Sequence, residues 1–436
     1  MKYYVRLTIL LGLLYGFIGV QRTVIAVIMP AIQADMKFSY TVVGLIMAIT
    51  GFLWAFGAFI WAAIGDKMGR RPVIAGTAIL AAVFSWLTGL VNTVGQMVAV
   101  RGILGFFEGG PYSPSVATVS EEAEPKRRGF FVGFIPACFA LIGDVVGPIA
   151  AVALIGKFGS WRHVFYTLSI PGALLGAITL FAMHEPPSIA DGIKMRKAGK
   201  GKAVSSHMGG KGSLLSVLKY KNVIVSIVMS VAVMGWLWVS HAFLALFLTK
   251  VHSMTLDQIG PIMAGMGLGG FIGMPISGLV SDHLGRKTTM IGAGLTSTIW
   301  GIVVCTLPVG VSPPIISLSL AMWGFCTGAT YPLYLGALLT ECVPDQLAGT
   351  AVSVPLGVGE IFGAAVLPTI AGILADRFGL YAPMWMATVA GVVIACISLF
   401  YIETAPRKVS RMRTKPVPDD YLLKRFRAKD KPGPAI

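Results

Sequence analysis

The chain has 436 residues, 55 % hydrophobic and 12 % charged, with a mean hydropathy of +0.78 and a net charge of +16. Soluble domains carry about 25 % charged residues, and half that share cannot cover so long a chain with polar surface, which excludes a soluble enzyme. Twelve membrane helices of roughly 20 residues would use most of the hydrophobic positions, so the composition predicts an all-α polytopic membrane protein.

Apolar runs predict helices over 7–29, 42–64, 73–92, 95–119, 129–154, 163–183, 223–249, 259–281, 288–308, 313–340, 348–374 and 380–402. The first run follows Lys2 and Arg6 as a secretory leader would, but it continues through Arg22 to Pro30 without a small-residue cleavage pattern and reads as a retained membrane helix. With the N-terminus inside, 28 of the 35 Lys and Arg fall in inner segments. Five lie in outer loops (Lys37, Lys157, Arg162, Lys250, Arg377), and Arg22 and Arg101 lie inside helices. This positive-inside bias predicts a multi-pass protein of the cell (inner or plasma) membrane with both termini cytoplasmic, and it explains the high pI without nucleic acid.

The pattern divides the chain into an N-terminal six-helix bundle (1–184), a basic Gly/Lys/Ser-rich cytoplasmic linker (185–222), a C-terminal six-helix bundle (223–403) and a basic cytoplasmic tail (404–436). The five cysteines, at 138, 305, 326, 342 and 396, have no metal-ligand spacing and read as small core residues. An internal repeat supports the two halves. Asp66-Lys67-Met68-Gly69-Arg70-Arg71 recurs 216 residues later within Gly278 to Lys287, and the same offset carries Gly143-Asp144-Val145-Val146-Gly147 onto Gly359-Glu360-Ile361-Phe362-Gly363.

The repeated loop resembles the G-x-x-x-D-[RK]-x-G-R-[RK] signature of the major facilitator superfamily, with Ala62 in place of the first glycine of the first copy. The resemblance implies two pseudo-symmetric six-helix bundles that alternate access around a central cavity lined by helices one, four, seven and ten. The carboxylates of Asp66 and Asp282, beside Arg70 and Arg286, can accept charge-assisted hydrogen bonds from the adjacent loop or from helix N-termini of the other half, and are expected to latch the inner face.

A charge in the bilayer core costs at least about 2.5 kcal/mol, so each one needs a function or a partner. Five stand out: Arg22, Arg101, Glu108, Asp144 and Glu360. Helical spacing puts Arg22 on a face with Tyr15, Ile18 and Ala26, toward the interior. Arg101 and Glu108 share a face one heptad apart, too far for an in-helix ion pair, and Tyr112 continues the stripe. Among Phe106, Phe107, Gly109 and Gly110, the Glu108 carboxyl is poorly solvated, which favours its protonated form and makes it the leading proton carrier.

Arg22 ahead of Met29-Pro30-Ala31-Ile32, together with Arg101-Gly102-Ile103-Leu104-Gly105-Phe106-Phe107-Glu108-Gly109-Gly110, resembles the anion:cation symporter branch, which includes sugar-acid and sialin-type organic anion transporters. That resemblance implies that Arg22 binds a substrate carboxylate and that Glu108 takes part in proton coupling. The position before Arg22, often acidic in that branch, is Gln21 here, which removes the adjacent counter-ion. Asp144 precedes Gly147-Pro148, a Gly-x-x-x-Gly-Pro run similar to the fifth-helix motif of antiporters. Trp236, Trp238, Ser240 and His241 on helix seven, and Tyr331 and Tyr334 flanking Pro332 on helix ten, could hold the body of an anion.

No nucleotide loop, zincin motif or nucleophile elbow appears, so no enzyme activity, cofactor or metal is expected and the energy source is an ion or solute gradient. The sequence therefore predicts secondary transport, with proton-coupled uptake of a small organic anion by a monomer as the leading reading. The substrate set is Arg22, Arg101, Tyr15, Gln21, Tyr112, Trp238, His241, Tyr331 and Tyr334, and the coupling set is Glu108, Asp144 and Glu360. Export or exchange by an antiporter is the alternative, and a transporter-like sensor a remote one.

Overall fold

The computed structural model describes residues 2–124, 127–187, 189–190, 214–344, 347–405 and 408. Most of the expected linker, and nearly all of the expected tail, lie outside the described residues. Within them the chain makes twelve helical passes: α1 (Tyr3–Met36), α2 (Tyr40–Met68), α3 (Arg70–Thr88), α4 (Val94–Glu108, then Tyr112–Glu122), α5 (Arg128–Cys138, Phe139–Val146 and Gly147–Phe158), α6 (Trp161–Ala182), α7 (Lys221–Lys250), α8 (Leu256–Leu284), α9 (Arg286–Thr306), α10 (Pro313–Gly328, resuming after Thr330), α11 (Ala348–Val358, Gly359–Val366 and Leu367–Phe378) and α12 (Tyr381–Ser398). Ten of them are unbroken and apolar enough to span a membrane; α4 and α10 are not.

Those two were expected to be continuous. The chain instead breaks after Glu108 at Gly109-Gly110-Pro111 and after Gly328 at Ala329-Thr330, because glycine and nearby proline weaken the helix at both places. In α5 and α11 the equivalent stretches Phe139–Val146 and Gly359–Val366 are wound as π-helical turns, a form often found at functional sites. Asp144 and Glu360 sit within them. Four cysteines are buried as expected, while Cys396 on α12 is exposed.

Helices pack first inside each half, α3 on α4 and α6, and α9 on α10 and α12. The halves then meet along α2 with α11, α5 with α8, and α1 with α7. These seams are tightest from mid-membrane to the end remote from the termini. A Cβ on Gly44 would lie 2.2 Å from the Pro368 carbonyl oxygen, and one on Gly267 would lie 2.3 Å from that of Asp144. Only glycine lets two helix backbones approach so closely. At the remote end Asp376 of α11 accepts from the Tyr40 and Thr41 amides (2.8 Å each) and from Thr41 Oγ1 (2.6 Å), capping α2 of the opposite half.

At the end carrying the termini, the ion pairs formed by the two signature loops lie within the halves. Arg70 contacts Asp66 (3.4 Å) and Glu121 (2.9 Å), and Arg286 contacts Asp282 (2.6 Å) and Glu341 (2.9 Å). Each loop turns on a glycine of positive φ, Gly69 or Gly285, so that α3 and α9 start at once. Their first amides are capped by Glu185 (2.5 and 3.1 Å) and Glu403 (2.8 and 3.2 Å), also from the same half.

Candidate functional site

Where the two halves meet, Arg22 is the organising charge. It is buried, and its Nη2 lies 2.7 Å from Glu360 Oε2 on α11, 338 residues away and in the other half. The guanidinium carbon stands 4.0 Å from the Trp238 ring of α7 and 4.9 Å from the Trp54 ring of α2. Weakly hydrated arginine is suited to such a setting, because its planar fork bonds a carboxylate in plane while indole faces stabilise the cation. By the 216-residue offset, Trp238 is the counterpart of Arg22 itself. The pseudo-symmetry thus sets a cation against an aromatic at equivalent positions.

Arg101 turns to the backbone. It is fully buried on α4, and its Nη1 and Nη2 donate to the carbonyl oxygens of Gln21 (3.0 Å) and Arg22 (3.4 Å). These bonds hold α1 in place directly under Arg22. Gln21 points away from Glu360: its amide nitrogen would meet a Cβ on Gly172 of α6 at 2.4 Å, and neither polar atom has a hydrogen-bond partner among the described residues. The counter-ion that the sequence lacks beside Arg22 is supplied by Glu360.

Glu108 does not pair with Arg101. It is fully buried where α4 breaks, and neither carboxylate oxygen has a hydrogen-bond partner among the described residues. A buried carboxyl group without a partner carries the cost of its lost hydration uncompensated. Tyr112, just past the break, stacks on Tyr15 at 5.0 Å between centroids, and Trp54 lies 6.5 Å from Tyr112. Together they extend an aromatic wall from Arg22.

Between the halves, His241 Nε2 of α7 stands 3.3 Å from Asp144 Oδ1 of α5, and His241 Nδ1 lies 2.8 Å from the Leu237 carbonyl oxygen. The His241 ring is 5.6 Å from Trp238, which therefore touches both cross-half links. Tyr331 and Tyr334 meet at 5.6 Å, with Tyr331 Oη 3.3 Å from Met234 Sδ. Trp236, by contrast, packs against Trp323 inside the C-terminal half.

The structure thus gathers Arg22, Glu360, Trp238, His241 and Asp144 at the centre, with Tyr15 and Tyr112 alongside. Asp66, Arg70, Asp282 and Arg286 stay at the terminal end. Sequence reasoning missed Trp54, Asp376, Glu185 and Glu403. The last two left a signal, since each is a Glu shortly before a proline directly after the final helix of its half, in His184-Glu185-Pro186 and in Glu403-Thr404-Ala405-Pro406. Trp54 and Asp376 left none. The indole N–H groups of Trp54 and Trp238 find no acceptor among the described residues, so they can serve a guest.

Twelve apolar passes in two repeated halves, with charged side chains gathered at the central seam, define a multi-pass membrane transporter. The family model of the Major Facilitator Superfamily matches residues 11–355, and the chain belongs to that superfamily. It is 23 % identical over 358 residues to a probable 4-methylmuconolactone transporter of Cupriavidus pinatubonensis, covering 81 % of this chain and 79 % of that one. To the probable sulfoacetate transporter SauU of Cupriavidus necator it is 23 % identical over 406 residues, covering 90 % and 92 %. The fold matches that of a bacterial homolog of the human lysosomal transporter Spinster, solved in an inward-facing, unoccupied conformation, with a TM-score of 0.74 and 17 % identity over the whole of both chains.

Proposed function

We propose that the protein carries a small organic anion across the inner membrane by proton-coupled symport. The observation that carries this reading is the buried Arg22–Glu360 pair of 2.7 Å, flanked by Trp54 and Trp238 and joining the two halves. Glu360 acts as a resident carboxylate on the substrate's own arginine. When it takes up a proton, its hold on Arg22 weakens, and a carboxylate or sulfonate from solution takes its place, assisted by the indole N–H groups. Glu108, buried without a partner, serves as the second proton site, and Arg101 positions Arg22 through the α1 backbone.

Charge logic supports this order of events. An anion entering beside an ionised Glu360 would add a second negative charge to a poorly screened site, whereas a proton taken up with it keeps the centre neutral. The relative named for sulfoacetate, a small organic acid, supports the substrate class. With the terminal end cytoplasmic, the arrangement described above corresponds to an inward-facing carrier, sealed toward the outside by the α2–α11 and α5–α8 seams.

The test is uptake by purified protein in liposomes, using a panel of small carboxylates and sulfonates with and without an inward proton gradient. Wild type should accumulate one of them only with the gradient. Glu360→Gln, which holds Arg22 more weakly, should bind that anion at least as tightly, with affinity that depends less on pH, and should fail to accumulate it. Glu108→Gln should retain binding and lose gradient-driven accumulation. Movement only against an internally loaded anion would establish an exchanger instead, and pH-dependent binding unchanged in Glu360→Gln would refute the assignment of Glu360.

A further inference from the structure

The second link across the seam, Asp144 to His241, differs from the first in what it needs to exist. A carbonyl oxygen only accepts, so the 2.8 Å contact from His241 Nδ1 to the Leu237 oxygen places a hydrogen on Nδ1. In a neutral imidazole the other nitrogen, Nε2, then bears a lone pair. That lone pair would face the lone pairs of Asp144 Oδ1 at 3.3 Å and be repelled. The contact is a bond only when one additional proton lies between them, whether the pair is written as imidazolium with carboxylate or as imidazole with carboxylic acid. Arg22 and Glu360 need no such proton, since the guanidinium always carries its charge.

The surroundings fit a site that exchanges protons with solvent. The side chains of His241 and Asp144 are 11 % and 16 % exposed, against 4 % and 5 % for Arg22 and Glu360. The charged groups facing it are few. Arg22 of α1 stands on the far side of Trp238 and is matched by Glu360 of α11. Helix α8 meets Asp144 through Gly267, and its titratable residues Asp257, Asp282 and His283 lie near its ends. On α5 itself, the nearest other charge is Lys157 at its last turn, and α7 carries Lys221 and Lys250 only at its ends. Helix α10 contributes only the tyrosines 331 and 334 near the centre.

We propose that Asp144 and His241 form a one-proton binding site that helps fasten the two halves in the observed conformation, so that losing the proton removes this tie between α5 and α7 and favours opening of the remote end, with or without cargo. The proton goes to water on release and leaves a carboxylate and a neutral imidazole. Because the link spans the seam, only a conformation that brings α5 to α7 can hold the proton this way. Proton affinity and conformation are therefore linked.

The test needs no substrate. Spin labels at Gly95→Cys and Val309→Cys, both exposed at the remote end in opposite halves, report its opening by pulsed electron resonance, in a Cys396→Ser background because the other four cysteines are buried. As the pH is raised, the open-to-closed ratio of the remote end should rise by at most about tenfold per pH unit, the limit for one linked proton. Asp144→Asn has an amide N–H that bonds Nε2 without an added proton, and should stay closed at every pH. Asp144→Ala has no link and should resemble high-pH wild type throughout. A wild type insensitive to pH, an Asp144→Asn that shifts as wild type does, or a slope steeper than tenfold per unit would each overturn the proposal. Because Asp144→Asn is nearly isosteric and decides the matter alone, a poorly folding Asp144→Ala leaves the test intact.

Discussion

The two ends of the molecule differ in what ties one half to the other. At the remote end, beside bonds within a half such as Arg162 to Asp35 (2.6 Å), hydrogen bonds and close backbone contacts also run between halves, through Asp376 on the α2 amides and Gly44 against Pro368. At the terminal end the signature-loop pairs and the Glu185 and Glu403 caps run within a half. The difference teaches how the work is divided. Bonds within a half stiffen it into a body that can rock, while bonds between halves must break for the remote end to open. The Arg22–Glu360 and His241–Asp144 links lie between these two regimes, and both bear on the same Trp238.

The contrast can be broken most severely at Gly44. A Cβ there would stand 2.2 Å from a backbone oxygen that has no side-chain freedom to yield. Gly44→Val should hold α2 off α11 and prevent closure of the remote end. We expect transport to fall by more than tenfold, with the labelled remote end open at every pH and thermal stability little changed, since each half keeps its own packing. Normal closure in this variant would show that the α2–α11 seam does not gate.

Part of this division was legible in the sequence and part was not. The twelve passes and the repeat of the signature loop follow from apolar run length and a fixed offset, which are local properties. The importance of Arg22, Glu108, Asp144 and Glu360 follows from the cost of charge in lipid. Which of them meet does not follow. Arg22 and Glu360 are 338 residues apart, and nothing in either helix specifies the partner until the halves are docked. The face of Gln21 was also hidden: adjacent positions on a helix point about 100° apart, so Arg22 turned toward Glu360 carries Gln21 away from it, against α6. Asp376, on a helix end facing solvent, looked like any exposed acid.

A milder break lies at Asp376. It is an N-cap supplied from the other half, and replacing such a cap by alanine costs about 1 kcal/mol, here charged only to the conformation in which α2 and α11 touch. Asp376→Ala should therefore raise the open population of the remote end about fivefold, measured with the same labels. An unaltered ratio would mean that the α2 amides are served equally well by water and that the glycine contacts alone close this end.

The smallest effect belongs to the terminal end. Asp66 lies 3.4 Å from Arg70, which keeps Glu121 at 2.9 Å, so Asp66→Asn removes a long contact from an arginine that retains a better one. At 3.4 Å the Asp66 contact is longer than a good hydrogen bond and adds little beside the 2.9 Å contact to Glu121. In the conformation described here the substitution should leave anion affinity and thermal stability nearly unchanged. The expected latch role of Asp66 concerns the opposite conformation, with the terminal end closed, and would show as slower turnover with unaltered binding. Asp282→Asn, at the 2.6 Å pair of the second half, should slow turnover more. Equal and normal turnover in both variants would confine the two aspartates to bracing their own halves, and closure of the terminal end would then have to rest on other contacts.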